Sequence, residues 1–524
     1  MSFLSTSHAA HPTIMIEDLF AEHIAAEFPH ALTEQQKEAA RQIGAFLADP
    51  RSDRAFILRG YAGTGKTSLI SAVVRVWKKL NRPVLLLAPT GRAAKVFSLH
   101  SGLPATTIHK AIYRQQTFKG EDTVFDRGWN NAKEALFIVD ESSMIANQGG
   151  GNSQFGTGQL LDDLVQFVYV GAGCRLLLVG DTAQLPPVGE TESPALQPRT
   201  MERYGLHVRS YELTEVIRQA KTSAVLTNAT QLRKFISHLA AQQSNFATRA
   251  AALLEEAHNL PAEALNEKGL PLIKVGAKTE VKIIPGDELI ESLEQSYRNW
   301  GTDDTIIVTR TNKRANIFNN GVRARILDRE EVLCRGDLVM AVRNNYHWTA
   351  LLQSQLPEGQ QLPISFIANG DSAEIVRYHN VHTMHGLEFA DVTLRFSDYE
   401  EVEIECRVIL DTLQAEAPAL TSDQQAQLYE SVLADYAHIP NQRERMKAIR
   451  QDPYYNALQI KYAYAVTCHK AQGGQWHEVY VDQGYLPEDL EPLSYFRWLY
   501  TAFTRTSGNL YLVNWPKDQT YSQS

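Results

Sequence analysis

Eight consecutive residues, Gly60-Tyr61-Ala62-Gly63-Thr64-Gly65-Lys66-Thr67, carry a spacing with a chemical meaning. Glycines placed this way let backbone N–H groups close around an oxyanion with no Cβ in the way. Lys66 then neutralises the outer phosphates of a nucleoside triphosphate, and the Thr67 hydroxyl is placed for Mg²⁺. Gly60, Ala62, Gly63, Thr64, Gly65 and Ser68 complete the cradle. The N-terminal end of the helix expected over Ser68–Leu80 adds positive potential.

A second pair, Asp140-Glu141, follows the apolar run Leu136–Val139. A carboxylate there can hold Mg²⁺ through its water shell, and its neighbour can activate an attacking water. The expectation is Asp140 on the metal and Glu141 as base; a solvated turn is the plain alternative for an Asp-Glu pair read alone. Phosphoryl transfer also needs a cation where negative charge spreads in the transition state. Arg218, in LTEVIRQ, and Arg505, in YTAFTRT, are candidates. Taken singly, either reads more readily as a surface or salt-bridging arginine than as a catalytic one.

Those residues need strands and helices to hold them. Short apolar runs at Ala55–Leu58, Val84–Ala88, Leu136–Val139 and Leu176–Val179 have strand length and suit burial on both faces. Leu69, Ile70, Val73, Val74 and Trp77 repeat with helical spacing between the first two. Strands alternating with helices imply a parallel sheet, so the fold class is α/β. Each run ends in a polar cluster: GYAGTGKT, PTGRAAK, DESS and GDTAQLPP. Ligands bind beyond the carboxyl ends of such strands, so the four clusters should share one crevice. A second set of strands is expected at Ile306–Thr309, Leu338–Val342, Ala463–Thr467, Val479–Val481 and Leu510–Val513. Residues 365–410 are rich in β-branched types with the turn signal Asn369-Gly370-Asp371 and read as a small β module. Residues 421–450 are charged and helical in pattern, and 16–24 suggest a short amphipathic helix.

The chain has 524 residues, is 44% hydrophobic and 21% charged, and carries a net charge of −9. That length allows about two to four domains. The charge argues against a nucleic-acid coat protein with positive charge all over, but a groove needs only local positive charge. Cys174, Cys334, Cys406 and Cys468 lie far apart with no CxxC pair, so neither zinc nor a disulfide framework is indicated. No run of apolar residues is long enough to span a bilayer, and no basic-then-apolar leader is present. A reducing cytoplasm and no membrane association are the expectation.

The clusters, in this order, resemble superfamily-one helicases of the RecD and Dda branch, over about residues 32–515. Leu32-Thr33-Glu34-Gln35-Gln36 is similar to the adenine-reading Q motif, which makes Gln36 the base reader. Ala88–Ala94 and Thr107-Ile108-His109-Lys110 resemble the motifs that touch DNA in the first domain. Val139–Met144 resembles motif II. Val179–Pro187 resembles motif III, in which Gln184 would sense the γ-phosphate. Ile217-Arg218-Gln219 looks like the arginine motif that follows. Val466–Gly473 and Tyr500–Thr506 resemble motifs V and VI, so Arg505 would be an arginine finger supplied across the cleft. The resemblance implies two RecA-like domains with ATP between them, 5′ to 3′ movement on single-stranded DNA, and an SH3-like β module in the second domain. The expected division is 1–30 as an extension, 31–110 and 135–215 as the first RecA-like domain, 111–134 as a pin, 216–345 and 456–524 as the second domain, and 346–455 as β module with helical insertion.

On that resemblance the track would use Thr90, Arg92, His109 and Lys110 in the first domain and Thr467, His469 and Lys470 in the second. The locally basic stretch around Asn312 and Arg314, with Arg323 and Arg325, is a further candidate, or a solvated helix face. Phe118 and Phe125, in a hairpin-like segment, would stack at a strand junction; inward-packed aromatics are the alternative. His379, His382 and His385 read as structural. The partners implied are single-stranded DNA and single/double-strand junctions, with replication or repair proteins as candidates beyond them. The competing reading is an ATP-driven translocase that remodels nucleic acid without separating strands.

Overall fold

The computed structural model describes residues 16–28, 30–115, 125–148, 156–216, 223–243, 265–276, 279–357 and 359–522. Two parallel sheets and one closed barrel organise them.

The first sheet has six strands in the spatial order Ala105–Thr107, Val84–Ala88, Leu136–Val139, Arg175–Gly180, Arg54–Gly60 and His207–Leu213, all parallel. The strand Arg54–Gly60 illustrates why its sequence is apolar almost throughout. Phe56 and Leu58 face one core with the helices Glu34–Ala48 and Lys66–Lys79. Ala55 and Ile57 face another with Ile108–Ile112 and Leu160–Val170. Side chains alternate across a strand, so helices on both faces bury both sets. The helix Ile16–Glu27 adds Phe20 and Ile24 to the first of these cores, so it is packed into the lobe.

The second sheet orders Val281–Ile284, Thr506–Val513, Trp476–Asp482, Thr305–Thr309 and Ala465–Thr467, again all parallel. Ile306 and Val308 pack toward the helices Ala224–Gln243 and Pro492–Phe503. Ile307 packs the other way, with Leu293, Ala315 and Val322. These are two RecA-like lobes built on the same layered plan.

A five-stranded closed barrel joins the second lobe through Leu338–Ala341, Ser372–Met384, Leu387–Phe396, Val402–Ile409 and Leu458–Tyr462. Two corrections to expectation arise here. The run Leu338–Val342 was grouped with the second α/β lobe, yet it pairs antiparallel with both Ser372–Met384 and Leu458–Tyr462. A four-residue apolar run specifies burial and not which sheet takes it. Arg323, grouped with the basic stretch, is 4% exposed and forks onto Asp337, itself fully buried. Arg329 and the Cys334 backbone N–H also bond that carboxylate, so the pair is satisfied and structural.

The helices Ser422–Asp435 and Gln442–Gln451 cover one end of the barrel through Leu387, Phe389, Leu428, Val432 and Ile449. Thr421 and Gln424 start the first of them with a reciprocal capping box. His382 and His385 both pack on Tyr454 there. Among the described residues no helix is long and apolar enough to cross a membrane.

Candidate functional site

Gly63 and Gly65 adopt φ of 76° and 79°, a region closed to most residues with a Cβ. Those two turns bend the segment Gly60–Gly65 around the start of the helix Lys66–Lys79. Inside the bend, Lys66 Nζ donates to the Tyr61 carbonyl at 3.0 Å and the Thr64 hydroxyl donates to the same oxygen at 2.8 Å. Gln36 lies behind the bend, 1% exposed. Its Nε2 donates to the Thr64 carbonyl at 3.0 Å and its Oε1 accepts from the Thr33 N–H at 3.0 Å. The expected base reader thus also braces the loop from beneath.

Asp140 and Glu141 leave the strand Leu136–Val139 beside the loop. Glu141 has φ 49°, a strained left-handed conformation for a residue of its type, and its N–H donates to Asp140 Oδ1 at 2.8 Å. Burial and the adjacent Glu141 push the Asp140 carboxyl upward in pKa, against the pull of Lys66. Asp181, from the end of the neighbouring strand Arg175–Gly180, is also pushed upward by burial and also faces Lys66. The lysine therefore sits among carboxyls from two strand ends. Gln184 follows three residues later, 6% exposed, and its Oε1 is buried without a hydrogen-bond partner. An orphaned acceptor following the Asp181 strand end suits a donor such as a bound water, because unsatisfied buried polar atoms are costly.

The second lobe closes over these loops with the helix Pro492–Phe503. Tyr500 is 1% exposed; its hydroxyl accepts from the Ala62 N–H at 2.8 Å and donates to Asp181 Oδ2 at 2.5 Å. Thr501 Oγ1 accepts from the Leu185 N–H at 2.8 Å, and Gln472 Nε2 donates to the Leu185 carbonyl at 2.6 Å. Sequence reasoning quoted Tyr500 only as a flank of Arg505. The available signal was a hydroxyl within PLSYFRWLYTAF, an otherwise mostly apolar helix. Arg505 is 4% exposed and held by its own lobe: it donates to the carbonyls of Thr501 at 2.9 Å and Gly474 at 3.2 Å. It lies one helical turn beyond the contacts that grip the nucleotide loops. Arg218 lies outside the described residues. Thr67 and Ser68 open the helix Lys66–Lys79, as the motif requires.

A separate groove gathers the expected track residues. Thr90, Arg92, His469 and Lys470 line one cavity of about 920 Å³ between the lobes and the barrel. Arg92 stacks over Trp476 with its guanidinium carbon 4.1 Å from the ring centroid, so the two lobes meet there. Trp476 itself is buried, which agrees with a packing role. Thr467 ends the strand Ala465–Thr467 and heads the short helix bearing His469 and Lys470. Thr90, His109 and Lys110 line a smaller cavity of about 90 Å³ next to it. Burial holds His109 down at about 4, so its imidazole is neutral at pH 7. Arg314 is committed to Asp482 by two bonds of 2.8 and 2.7 Å, and Asn312 starts its helix Asn312–Arg325. The strands Tyr113–Gln115 and Phe125–Arg127 form an antiparallel pair, as the arms of a hairpin should. Phe118 and the side chain of Phe125 lie outside the described residues.

Residues 31–244 match the family described as an AAA domain, and residues 462–513 match the UvrD-like helicase C-terminal domain. The ATP-dependent RecD2 DNA helicase of Deinococcus radiodurans is 32% identical over 199 residues, 38% of this chain and 23% of that protein. The ATP-dependent DNA helicase dda of Enterobacteria phage T4 is 28% identical over 207 residues, 38% of this chain and 42% of that one. The chain thus spans about a quarter of the RecD2 protein and under half of the phage protein. A crystal structure of Bacteroides Pif1 bound to ssDNA aligns over 94% of both chains at 16% identity and a TM-score of 0.42. The chain thus carries an AAA domain that holds the P-loop and a UvrD-like helicase C-terminal domain in the facing lobe, and over part of its length it is similar to the RecD2 and dda DNA helicases.

Proposed function

We propose that the protein is an ATP-dependent DNA helicase that moves 5′ to 3′ on single-stranded DNA and separates duplex strands. The observation that carries this reading is the bonding of Tyr500 and Thr501 to both nucleotide-handling loops of the other lobe. A ligand shifts a conformational equilibrium only through differential affinity for its two states. Whatever occupies the loops between Ala62 and Asp181 must change those contacts, and so change how the lobes meet. The groove bearing Thr90, Arg92, His469 and Lys470 crosses the same junction, so a change in lobe position changes the grip on a strand.

In this reading Lys66 holds the outer phosphates and Thr67 and Asp140 hold Mg²⁺. Glu141 orients and deprotonates the attacking water, and Gln184 receives the γ-phosphate and that water. Magnesium supplies charge neutralisation across the phosphates when bound. Arg505, and Arg218 where it follows the third motif, supply positive charge to the transition state. Gln36 contributes recognition of the base and also supports the loop through Thr64. The paired strands Tyr113–Gln115 and Phe125–Arg127 support a reading of this segment as a pin, and the closed five-stranded barrel supports the reading of an SH3-like module.

The decisive experiment is unwinding of duplexes that carry either a 5′ or a 3′ single-stranded tail. Unwinding of the 5′-tailed substrate alone is expected. Unwinding only from a 3′ tail would reverse the polarity, and ATP turnover without unwinding of either substrate would leave a translocase.

A further inference from the structure

Between the barrel strands Leu387–Phe396 and Val402–Ile409 lies a turn, Ser397-Asp398-Tyr399-Glu400-Glu401, that reaches across to the first lobe. Glu400 and Glu401 have φ of 55° and 57°, two neighbouring left-handed residues without glycine. They are the central pair of a tight hairpin turn closed by the Val402 N–H on the Tyr399 carbonyl, which sets Tyr399 at the tip.

The contacts are specific. Lys95 donates to the Ser397 carbonyl at 3.0 Å and pairs with Asp398 at 3.4 Å. Arg92 and Lys110 bond elsewhere, Arg92 to the Gln475 carbonyl at 3.0 Å and Lys110 to the carbonyls of Leu362 and Pro363. Tyr399 donates to Asp371 Oδ1 at 3.0 Å, and its ring lies directly against Gly91. A Cβ on Gly91 would stand 2.3 Å from the Tyr399 hydroxyl oxygen, so only glycine admits the ring in this position. The cavity with Arg92 and Lys470 includes Ser397 and Asp398 in its wall, while the smaller one with His109 and Lys110 is bounded by Tyr399. The turn therefore stands between the two halves of the groove.

We propose that this turn is a plug in the nucleic-acid path: Asp398 occupies Lys95, a cation that a strand's phosphate would take, and Tyr399 fills the seat of a base against Gly91. The inference rests on the reading of the groove as a single-strand track. A carboxylate and a phosphate compete for the same lysine or arginine, and an aromatic ring competes with a base for the same flat contact. A single strand enters by displacing the turn, after which Tyr399 is free to stack. While the plug is in place, apparent affinity is reduced by the fraction of molecules in which the path is open.

The test is stopped-flow association of a fluorescent oligodeoxythymidylate with the full chain. The proteins are the wild type, Tyr399→Phe, the Asp398→Asn/Glu400→Gln double variant, and Gly91→Ala. Tyr399→Phe keeps the ring and removes its anchor. The double variant removes the largely buried Asp398 charge and the exposed Glu400 charge while keeping both side chains' volume. Gly91→Ala expels the ring by contact. Each is expected to associate about three- to tenfold faster than wild type, because each raises the open fraction. The effect of Gly91→Ala is expected to vanish in a Tyr399→Ala background, where no ring remains to expel. Association at or below the wild-type rate in both Tyr399→Phe and the double variant overturns the plug and leaves the turn a buttress. Absence of binding by the wild type and every variant instead overturns the track itself.

Discussion

The hydroxyl of Tyr500, on the second lobe, accepts a hydrogen bond from the backbone N–H of Ala62 in the P-loop of the first. The same oxygen donates to buried Asp181, so one atom joins two loops that end adjacent elements of the nucleotide crevice. Tyr500→Phe keeps the ring and orphans the Ala62 N–H and Asp181 Oδ2, while Asp181 Oδ1 keeps the Ala183 N–H. Leaving a buried carboxyl oxygen and an N–H unpaired costs about 1–3 kcal/mol each. The expected result is about a tenfold fall in kcat for DNA-stimulated ATP hydrolysis, with a smaller change in KM. An unchanged kcat in steady-state assays would show that the contact packs the lobes without positioning the loops.

Lys66 is the cation that faces both Asp140 and Asp181. Lys66→Ala removes the positive charge meant for the outer phosphates but leaves Thr90, Arg92 and Lys470 in their groove. ATP turnover is expected to fall by about two to three orders of magnitude, on the scale of a lost electrostatic contact to the transition state. Binding of single-stranded DNA, followed by fluorescence anisotropy, should stay measurable. Normal turnover would refute the assignment.

Much of this arrangement could be read from the chain because its signals are local. Gly60–Thr67 announces itself by spacing, and four apolar runs with polar clusters at their ends announce a parallel sheet and its ligand edge. The contacts that link the lobes are different in kind. Tyr500 and Asp181 are separated by 319 positions, and nothing near either residue states that they meet. Tyr399 against Gly91 is equally silent: a tyrosine in a hairpin turn and a glycine at a helix start each have ordinary local explanations. Leu338–Ala341 shows the same limit for strands, since burial can be read from composition and pairing cannot.

Arg505 makes its bonds within its own lobe, to Thr501, Gly474 and Thr504. For it to serve as a finger, closure of the lobes on nucleotide must draw it from those carbonyls toward the γ-phosphate. An arginine finger contributes on the order of 10³–10⁵ in rate. Arg505→Ala is therefore expected to lower single-turnover hydrolysis by about 10³-fold while ATP binding, read by a fluorescent analogue, changes far less. Equal losses in binding and hydrolysis would indicate a structural arginine that holds the strand Thr506–Val513 to its neighbour.

Burial pushes the Asp371 carboxyl up to about 7, despite bonds from the Ala368 N–H and the Tyr399 hydroxyl; Asp398 raises it further and Lys470 opposes. A folded-state pKa above the unfolded value means that the folded protein holds an extra proton between about pH 4 and 7. The group's contribution is therefore fully present below about pH 4 and is lost progressively as pH rises to 7. Asp371→Asn cannot titrate. The difference in Tm between variant and wild type is expected to shift in the variant's favour from pH 5 to pH 8, measured by calorimetry in one buffer ionic strength. A difference independent of pH would mean that Asp371 titrates in its ordinary range.

The paired strands Tyr113–Gln115 and Phe125–Arg127 rise from the lobe that carries the proposed track residues His109 and Lys110, and Lys110 is bonded to the segment Leu362–Pro363 that leads toward the barrel. A wedge works only if it is held rigidly against the moving strand, since a compliant tip yields before base pairs do. The two-strand ladder on one side and the lysine contact on the other supply that support. On the proposed wedge reading, replacing Phe118 and Phe125 together by Ala removes the aromatic surface that a base pair would meet, and the ladder between Tyr113–Gln115 and Phe125–Arg127 rests on backbone bonds. Base–aromatic stacking is worth about 1–3 kcal/mol per base. The double variant should therefore unwind a tailed duplex about tenfold more slowly while its DNA-stimulated ATPase stays within about twofold of wild type. Parallel losses in unwinding and ATPase would place these rings in the lobe's packing and remove the wedge.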